Sequence, residues 1–173
     1  MARVFRHRLR IRYGECDPQG VVFNANYLAF FDVIITEFWR EAIGEYNAMI
    51  EAGADMVVAE SRIRFLGPAA FDEELDFELR VSRLGNTALG TLIDARVGER
   101  PVVAGEMRHV FIDPATKLKR PMPEDIRAAL ELYAMPKEGA GDPAAASGGE
   151  SVAGRGEPAA PMAEPTTPST SPR

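Results

Sequence analysis

Apolar and arginine side chains alternate strictly at the start of the chain. Over residues 5–13, every odd position is aromatic, aliphatic or histidine, and every even position is arginine. Because successive side chains of a strand point to opposite faces, this alternation predicts a strand over residues 4–13 with one buried face. The following residues, 14–20, contain proline and glycine turn formers and predict a loop.

The hydrophobic period then lengthens from two residues to between three and four. This change predicts a helix over residues 27–43, with apolar side chains around most of its circumference. Asn24 or Asn26 is predicted to cap its start, and Gly44 to end it in a left-handed conformation. The main apolar stripe consists of Leu28, Phe31, Ile35, Phe38 and Ala42.

Four further strand-like runs follow the helix, over residues 56–66, 74–84, 87–97 and 101–112. Gly85 and Asn86 predict a hairpin between the second and third runs, and Pro123 predicts the start of a short closing helix. The element order predicts an α+β fold in which a five-stranded antiparallel sheet wraps around one long apolar helix, because each can bury its apolar surface against the other. A single chain would leave sheet edges and one helix side uncovered, so we expect a homodimer or homotetramer.

The aromatic residues divide the chain into two parts. All the Phe, Tyr and Trp residues lie at or before Tyr133, whereas residues 137–173 hold six of the 13 Pro and six of the 15 Gly. A segment of this composition buries too little apolar surface to offset its ordering entropy. We therefore predict a folded domain over residues 1–136 and a disordered tail over residues 137–173.

Charge and composition exclude several classes of partner. The net charge of −6 argues against nucleic acid. No apolar run reaches the roughly eighteen residues of a membrane span and no signal segment opens the chain, so we expect a cytoplasmic protein without a membrane partner. Cys16, His7 and His109 are too few and too scattered for metal ligation, and no metal or other cofactor is expected. We interpret the thiol as packed beside the loop and both histidines as structural.

Residues 13–32 carry the most specific motif of the chain. An Asp-x-x-Gly-x-Val loop begins at Asp17, and an Asn-Tyr pair at the helix start begins at Asn26. This motif resembles that of the hot-dog-fold acyl-CoA thioesterases of the 4-hydroxybenzoyl-CoA thioesterase and YbgC-like family. The resemblance covers about residues 1–135 and implies a hot-dog fold and an acyl-CoA substrate.

The resemblance also implies catalytic roles. Asp17 matches the family's catalytic carboxylate, which acts either as a nucleophile or as a general base towards water. Tyr13 matches a residue of the site and is expected to orient it through its hydroxyl. Many members carry His where this chain has Asn24, but the backbone N–H at this position, beside a helix N-terminus, can still stabilise an oxyanion.

Substrate-binding residues are implied less specifically. Arg83 and Asn86 are candidates for binding coenzyme A, because both lie at the predicted hairpin after the second run. Three basic residues after the last strand are further candidates to pair with its phosphates: Lys117, Lys119 and Arg120. The acyl group is expected between helix and sheet, with walls formed by Phe23, Phe30 and Phe31.

The arginine row of the first strand has an internal explanation. In the expected fold this strand lies beside the run over residues 74–84, so the arginines at positions 6–12 face Glu74, Asp76 and Glu78 across the ladder. Such pairing removes the need for an acidic partner outside the chain. Glu37 is interpreted as a partner of Arg40 or of another arginine.

Three functions stay open at this point. The first is hydrolysis of acyl-CoA thioesters with Asp17. The second is binding of acyl-CoA without turnover, as a sensor or carrier, although a binder gains nothing from an unpaired carboxylate beside a thioester. The third is a hydratase or dehydratase, which requires an Asp/His or His/Glu pair that the loop does not contain.

Overall fold

A five-stranded sheet forms the larger part of the computed structural model, which describes residues 2–136. The strands are β1 (Phe5–Arg10), β2 (Asp55–Phe65), β3 (Glu74–Leu84), β4 (Ala88–Val97) and β5 (Arg100–Ile112). All neighbouring pairs are antiparallel, and the spatial order is β1-β3-β4-β5-β2. Three helices accompany the sheet: α1 (Asn26–Ala42), α2 (Tyr46–Glu51) and α3 (Glu124–Glu131).

Helix α1 lies against the inner face of the curved sheet, as the sequence predicts. Its Phe38 ring contacts Phe5 of β1, and its Phe31 ring contacts Phe77 of β3. At β5 the approach is so close that a Cβ atom on Gly105 would lie 2.2 Å from the Phe31 ring. The buried residues of the helix are Tyr27, Phe30, Phe31, Ile34, Ile35, Phe38 and Trp39.

The charged ladder between β1 and β3 pairs arginine with acid, as predicted. Arg8 lies opposite Asp76, with 2.5 Å between Nε and Oδ1. Arg6 pairs with Glu78 at 3.0 Å, and the neighbouring Arg10 pairs with Glu74. This part of the arginine row is therefore matched within the chain.

The prediction for the end of β1 is wrong. The strand stops at Arg10; the Ile11 N–H still donates to the Glu73 carbonyl directly before β3, and the chain then turns away from the sheet. Tyr13 starts a single 3₁₀ turn and is 82% exposed instead of lying on the buried face. Arg12 does not reach the acidic ladder, because its side chain pairs with Glu15 within this turn.

The predicted caps of α1 are only half correct. The N-cap is Ala25, without a side-chain cap, because Asn26 uses its Nδ2 to donate to the Glu15 carbonyl at 2.7 Å. Gly44 does end the helix with a φ of +90°. Helix α2 follows directly, over residues to which the sequence pattern assigns no element. Pro123 is the N-cap of α3 and not its first helical residue.

Strand β2 is an edge strand without a single buried residue. Val57, Val58 and Phe65 are all more than 40% exposed on it, and its pairing with β5 shifts register after Val58. The predicted tail lies outside the described residues. Within residues 2–136, no helix is long and apolar enough to cross a membrane.

Candidate active site

Asp17 lies in a tight loop that fixes its carboxylate. The Asp17 N–H donates to the Val21 carbonyl at 2.9 Å, and the Gly20 N–H donates to the Asp17 carbonyl at 2.9 Å. Gly20 has a φ of +79°. The Gln19 N–H donates to Oδ1 of Asp17 at 2.8 Å. Oδ2 accepts no hydrogen bond from the residues that the structure describes, so this half-buried carboxylate is oriented at one oxygen and available at the other.

The start of α1 supplies hydrogen-bond donors next to this loop. The Glu15 carbonyl accepts from both the Phe23 N–H and the Asn26 side chain, which joins the loop to the helix start. The exposed N–H groups of Asn24 and Ala25 donate to no acceptor within residues 2–136. Orphan N–H groups at a helix N-terminus carry partial positive charge, so they can stabilise an oxygen on which negative charge develops.

A second loop holds the first in place. The Val22 N–H donates to the Ala69 carbonyl at 2.8 Å. Glu73 braces this second loop, because it accepts from the Ala70 N–H at 2.8 Å and from Arg100 at 2.7 Å. The Ala70 N–H, followed by Arg100, lowers the pKa of Glu73, so this carboxylate is ionised at neutral pH.

Exposed aromatic side chains surround the Asp17 loop. Tyr13 and Phe71 meet edge to face with 5.9 Å between ring centroids, and Phe65 contacts Tyr27 in the same way at 5.6 Å. Phe23 is 48% exposed directly before Asn24. This apolar rim is a surface on which an acyl group or a second protein chain would exclude water.

A cleft of about 460 Å³ opens between α1 and the edge of the sheet. Trp39 of α1 and Met56 and Val58 of β2 form the apolar part of its walls, and polar side chains of the two helices, among them Asp32 and Asn47, form the rest. His109 of β5 also lines it and is almost completely buried; burial lowers the pKa of its imidazole to about 4, against the opposing effect of Asp32. The sequence pattern does not mark His109 as a residue of this cleft, because a lone histidine in an apolar strand gives no motif.

The predicted site residues fall into separate groups. Tyr13, Asp17, Phe23 and Asn24 lie on one loop and helix start. Phe30 and Phe31, the predicted pocket walls, are buried in the core, with exposed fractions of 5% and 0%. Their role, like that of the loop residues, stays a prediction.

The predicted coenzyme A ligands lie at the other end of the sheet. Glu74 opens β3 beside the Asp17 loop, and Leu84 ends it about 33 Å away. Arg83 and Asn86 belong to this far end, where the Asn86 carbonyl accepts from the Met122 N–H. Three basic residues lie beyond β5 at the same end: Lys117, Lys119 and Arg120, the last donating to the Gly53 carbonyl. One chain therefore does not bring these residues to Asp17.

Metal ligands are absent from the part of the chain that the structure describes. Within residues 2–136, no group of three or more His, Cys, Asp or Glu side chains is arranged to hold a metal ion. The free thiol of Cys16 is half-buried and packs against the core beside the loop. The chemistry available at this site is accordingly that of a carboxylate and backbone N–H donors.

Comparison with known proteins places this arrangement in a family. The acyl-CoA thioester hydrolase YbgC of Escherichia coli is 26% identical over 126 residues, which cover 72% of this chain and 94% of that protein. The 1,4-dihydroxy-2-naphthoyl-CoA hydrolase of Nostoc punctiforme is 24% identical over 141 residues, covering 79% and 93%. The crystal structure of a 1,4-dihydroxy-2-naphthoyl-CoA thioesterase from Synechocystis shares the fold, with a TM-score of 0.67 and 17% identity, over 73% of this chain and 95% of that one.

The family model agrees with these relatives and with the sequence motif. It describes the thioesterase-like superfamily and matches residues 11–130, a span that contains the Asp17 loop, α1 and all of β2 to β5. The sequence-based predictions of a hot-dog fold and of a thioesterase are thereby confirmed. The chain belongs to the thioesterase-like superfamily.

Proposed function

We propose that this protein hydrolyses acyl-CoA thioesters to free coenzyme A and a carboxylic acid, with Asp17 as the reacting carboxylate. The observation that carries the proposal is the pairing of one free Asp17 oxygen with the free N–H groups of Asn24 and Ala25 on the adjoining helix start. The names of the relatives, which act on acyl-CoA or naphthoyl-CoA thioesters, support the same chemistry.

Two routes use these groups. In the first, Oδ2 of Asp17 attacks the thioester carbonyl carbon, the C–S bond breaks to release coenzyme A thiolate, and water then hydrolyses the acyl–aspartyl anhydride. In the second, Asp17 takes a proton from a water molecule whose oxygen attacks the same carbon, and the C–S bond then breaks to release coenzyme A thiolate. In both, the carbonyl oxygen becomes negative and is stabilised by the Asn24 and Ala25 N–H groups, an effect typically worth about a hundred- to a thousandfold in rate per donor.

The neighbouring side chains have supporting roles in this proposal. The Tyr13 hydroxyl orients the substrate or the water beside Asp17. Phe23 forms the first apolar wall next to the reacting carbonyl, while Phe30 and Phe31 shape the wall from below, within the core. These roles become effective when substrate or a second chain covers the exposed rim.

A homodimer would complete the coenzyme A site. The outer edge of strand β2 pairs with no strand within residues 2–136, and such edges are stabilised by pairing with another strand. Antiparallel pairing of β2 with β2 of a second copy is isologous. It places the far end of one sheet, where β3 ends, beside the end of the other sheet that carries the Asp17 loop. Arg83 and Asn86 of one chain would then lie at the same end as Asp17 of the other, where they can bind coenzyme A phosphates.

Thiol release from a panel of aromatic, short-chain and long-chain acyl-CoA esters tests the proposal. Asp17→Asn keeps the side-chain shape but removes the charge, so we expect at least about a hundredfold lower kcat with ester binding retained. Asp125→Asn, on the exposed face of α3, is the matched control and should keep full activity.

Other outcomes would lead elsewhere. Undiminished turnover by Asp17→Asn would mean that another group carries the reaction. A wild-type protein that binds these esters without releasing thiol from any of them would be an acyl-CoA-binding protein and not a hydrolase.

A further inference from the structure

A polar side chain without a hydrogen-bond partner lies in the wall of the cleft beside α1. His109 is 4% exposed, and its Nδ1 atom has no hydrogen-bond partner within residues 2–136. Leaving a buried polar atom unpaired costs about 1–3 kcal/mol. Thr91 is the other buried side chain of this kind in the described part, but it does not line the cleft. His109 thus lines the cleft and holds an Nδ1 atom that has no hydrogen-bond partner in the described part of the chain.

The position of His109 directs its ring towards the helix. Gly105 on the same strand faces Phe31 of α1, and side chains of a strand alternate, so His109 shares that face. Val58 pairs with His109 across the ladder and lines the cleft beside it. On the sheet side of the cleft, the imidazole therefore lies beside the apolar side chains of Met56 and Val58.

An exposed stripe on the surface of α1 connects the Asp17 loop with this wall. Ala25, Ala29, Asp32 and Thr36 recur at three- and four-residue spacing and are all exposed, so they form one continuous stripe along α1. Asp32 is about 9 Å from Asn26 along the helix axis. An acyl group whose carbonyl lies at the Asn24 N–H would extend along this stripe and into the cleft.

The other polar groups of the cleft already have partners or lie in solvent. Arg40 pairs with Glu37, and the Tyr46 hydroxyl donates to Asp55 at 2.5 Å. Asp32 and Glu45 are exposed. The imidazole is neutral at pH 7, because burial lowers the pKa of His109 to about 4, and it therefore offers one donor and one acceptor.

We propose that His109 is a specificity-determining residue, which hydrogen-bonds an oxygen substituent on the acyl group held in this cleft. The inference rests on the proposed hydrolase function and deepens it: hydroxylated acyl groups are favoured over their hydrocarbon counterparts. His109 takes no part in bond breaking, because it lies beyond the reacting carbonyl.

Matched pairs of coenzyme A esters test this selectivity. The pairs are cinnamoyl-CoA with its 4-hydroxy derivative, and octanoyl-CoA with 8-hydroxyoctanoyl-CoA, because the hydroxyl of each lies far enough from the carbonyl to reach the cleft. The wild type should prefer at least one hydroxylated ester over its parent by about 5- to 100-fold in kcat/KM, the range expected for one unmatched buried polar group. His109→Leu should abolish that preference while the parent ester is still hydrolysed. His109→Gln retains an N–H donor and should retain part of the preference.

Binding to Asp17→Asn, measured by calorimetry with the same pairs, separates this inference from the proposed function. If the wild type releases no thiol, hydrolysis is refuted. If a hydroxylated ester nevertheless binds more tightly than its parent, and His109→Leu removes that difference, the role of His109 stays intact. Hydrolysis without any preference for hydroxylated esters, or with a preference unchanged in both histidine variants, would overturn the role of His109 alone. Failure to bind any of these esters would overturn both.

Discussion

Glu73 shows how a single side chain supports the Asp17 loop from outside it. Its two carboxylate oxygens bind the Ala70 N–H and Arg100, while Arg100 also donates to the Pro68 carbonyl. The braced segment in turn accepts the Val22 N–H from the Asp17 loop. One ionised carboxylate therefore stabilises the relative position of two loops and the first residue of β5.

The depressed pKa of Glu73 makes this support dependent on pH. A carboxylate with a lower pKa in the folded state contributes stability above its unfolded pKa of 4.5, and this contribution is lost as pH falls through the folded value. We expect Glu73→Gln to lower the melting temperature at pH 7 and to approach the wild type below pH 4. Thermal denaturation across this range measures the difference.

The control for Glu73 is Glu99→Gln. Glu99 is an exposed turn residue that forms no hydrogen bond or ion pair within residues 2–136. Its variant should follow the wild type at every pH. A gap between Glu73→Gln and the wild type that persists unchanged into acid would rule out the ionised brace.

At the residue scale, the sequence motif proposes a site but does not specify its contacts. Asp17 is proposed from this motif, and its neighbours Gly20 and Val22 belong to the same pattern. Asn26 was assigned to a cap, which it does not form, because a nearer carbonyl competes for its amide. His109 could not be found, since its lack of a partner is a property of packing between α1 and two strands.

At the scale of elements, periodicity was a sufficient guide wherever an element has one buried face. All five strands and α1 follow from it. The alternation also predicts that β1 and β3 pair arginine with acid, but two registers do so at three pairs each, and the structure has one of them. The exceptions are short. Helix α2 has one buried residue and hence no period to detect, and β1 ends early because the chain enters a 3₁₀ turn at Tyr13.

Reversing a charge in this ladder should weaken it modestly. In Asp76→Lys the new ammonium faces Arg8, so a pair is replaced by repulsion, and we expect a loss of about 0.5–1 kcal/mol in the free energy of unfolding because both side chains are largely exposed. Chemical denaturation in low salt measures it. The effect should shrink in high salt.

Two further variants complete this test. Glu99→Lys makes the same charge change on a turn without ion pairs and should be near neutral. Combining Arg8→Asp with Asp76→Arg exchanges the partners and should recover most of the loss. Equal stability of Asp76→Lys and the wild type would mean that the ladder contributes nothing to β1–β3 pairing.

At the scale of the whole molecule, the described chain is open along one side. The exposed side of α1 and the edge strand β2 both carry apolar residues, among them Leu28, Val33, Val57 and Val58. Exposed apolar patches and free strand edges together indicate an interface between chains. The sequence predicted an oligomer on the same physical ground, but it could not identify β2 as the edge, because strand order is set by the three-dimensional path.

Sedimentation of the protein tests the proposed dimer. We expect a mass of twice the 18.9 kDa of one chain. Val57→Lys places a charge on the proposed interface and should shift the equilibrium towards the monomer. Leu132→Lys, an equally drastic change at an exposed residue beside α3, should leave the dimer intact. A monomeric wild type would refute the interface.

The backbone bonds of the Asp17 loop have a consequence for how such chains can diverge. The turn from Asp17 to Val21 and its attachment at Glu15 and Ala69 are made largely by main-chain groups, which every amino acid other than proline provides. Pro18 and Gln19 point to solvent and can therefore be exchanged freely among relatives. An insertion or deletion of one residue would break several of these bonds at once. The length of this loop is accordingly constrained, whereas its amino-acid composition can vary at Pro18 and Gln19.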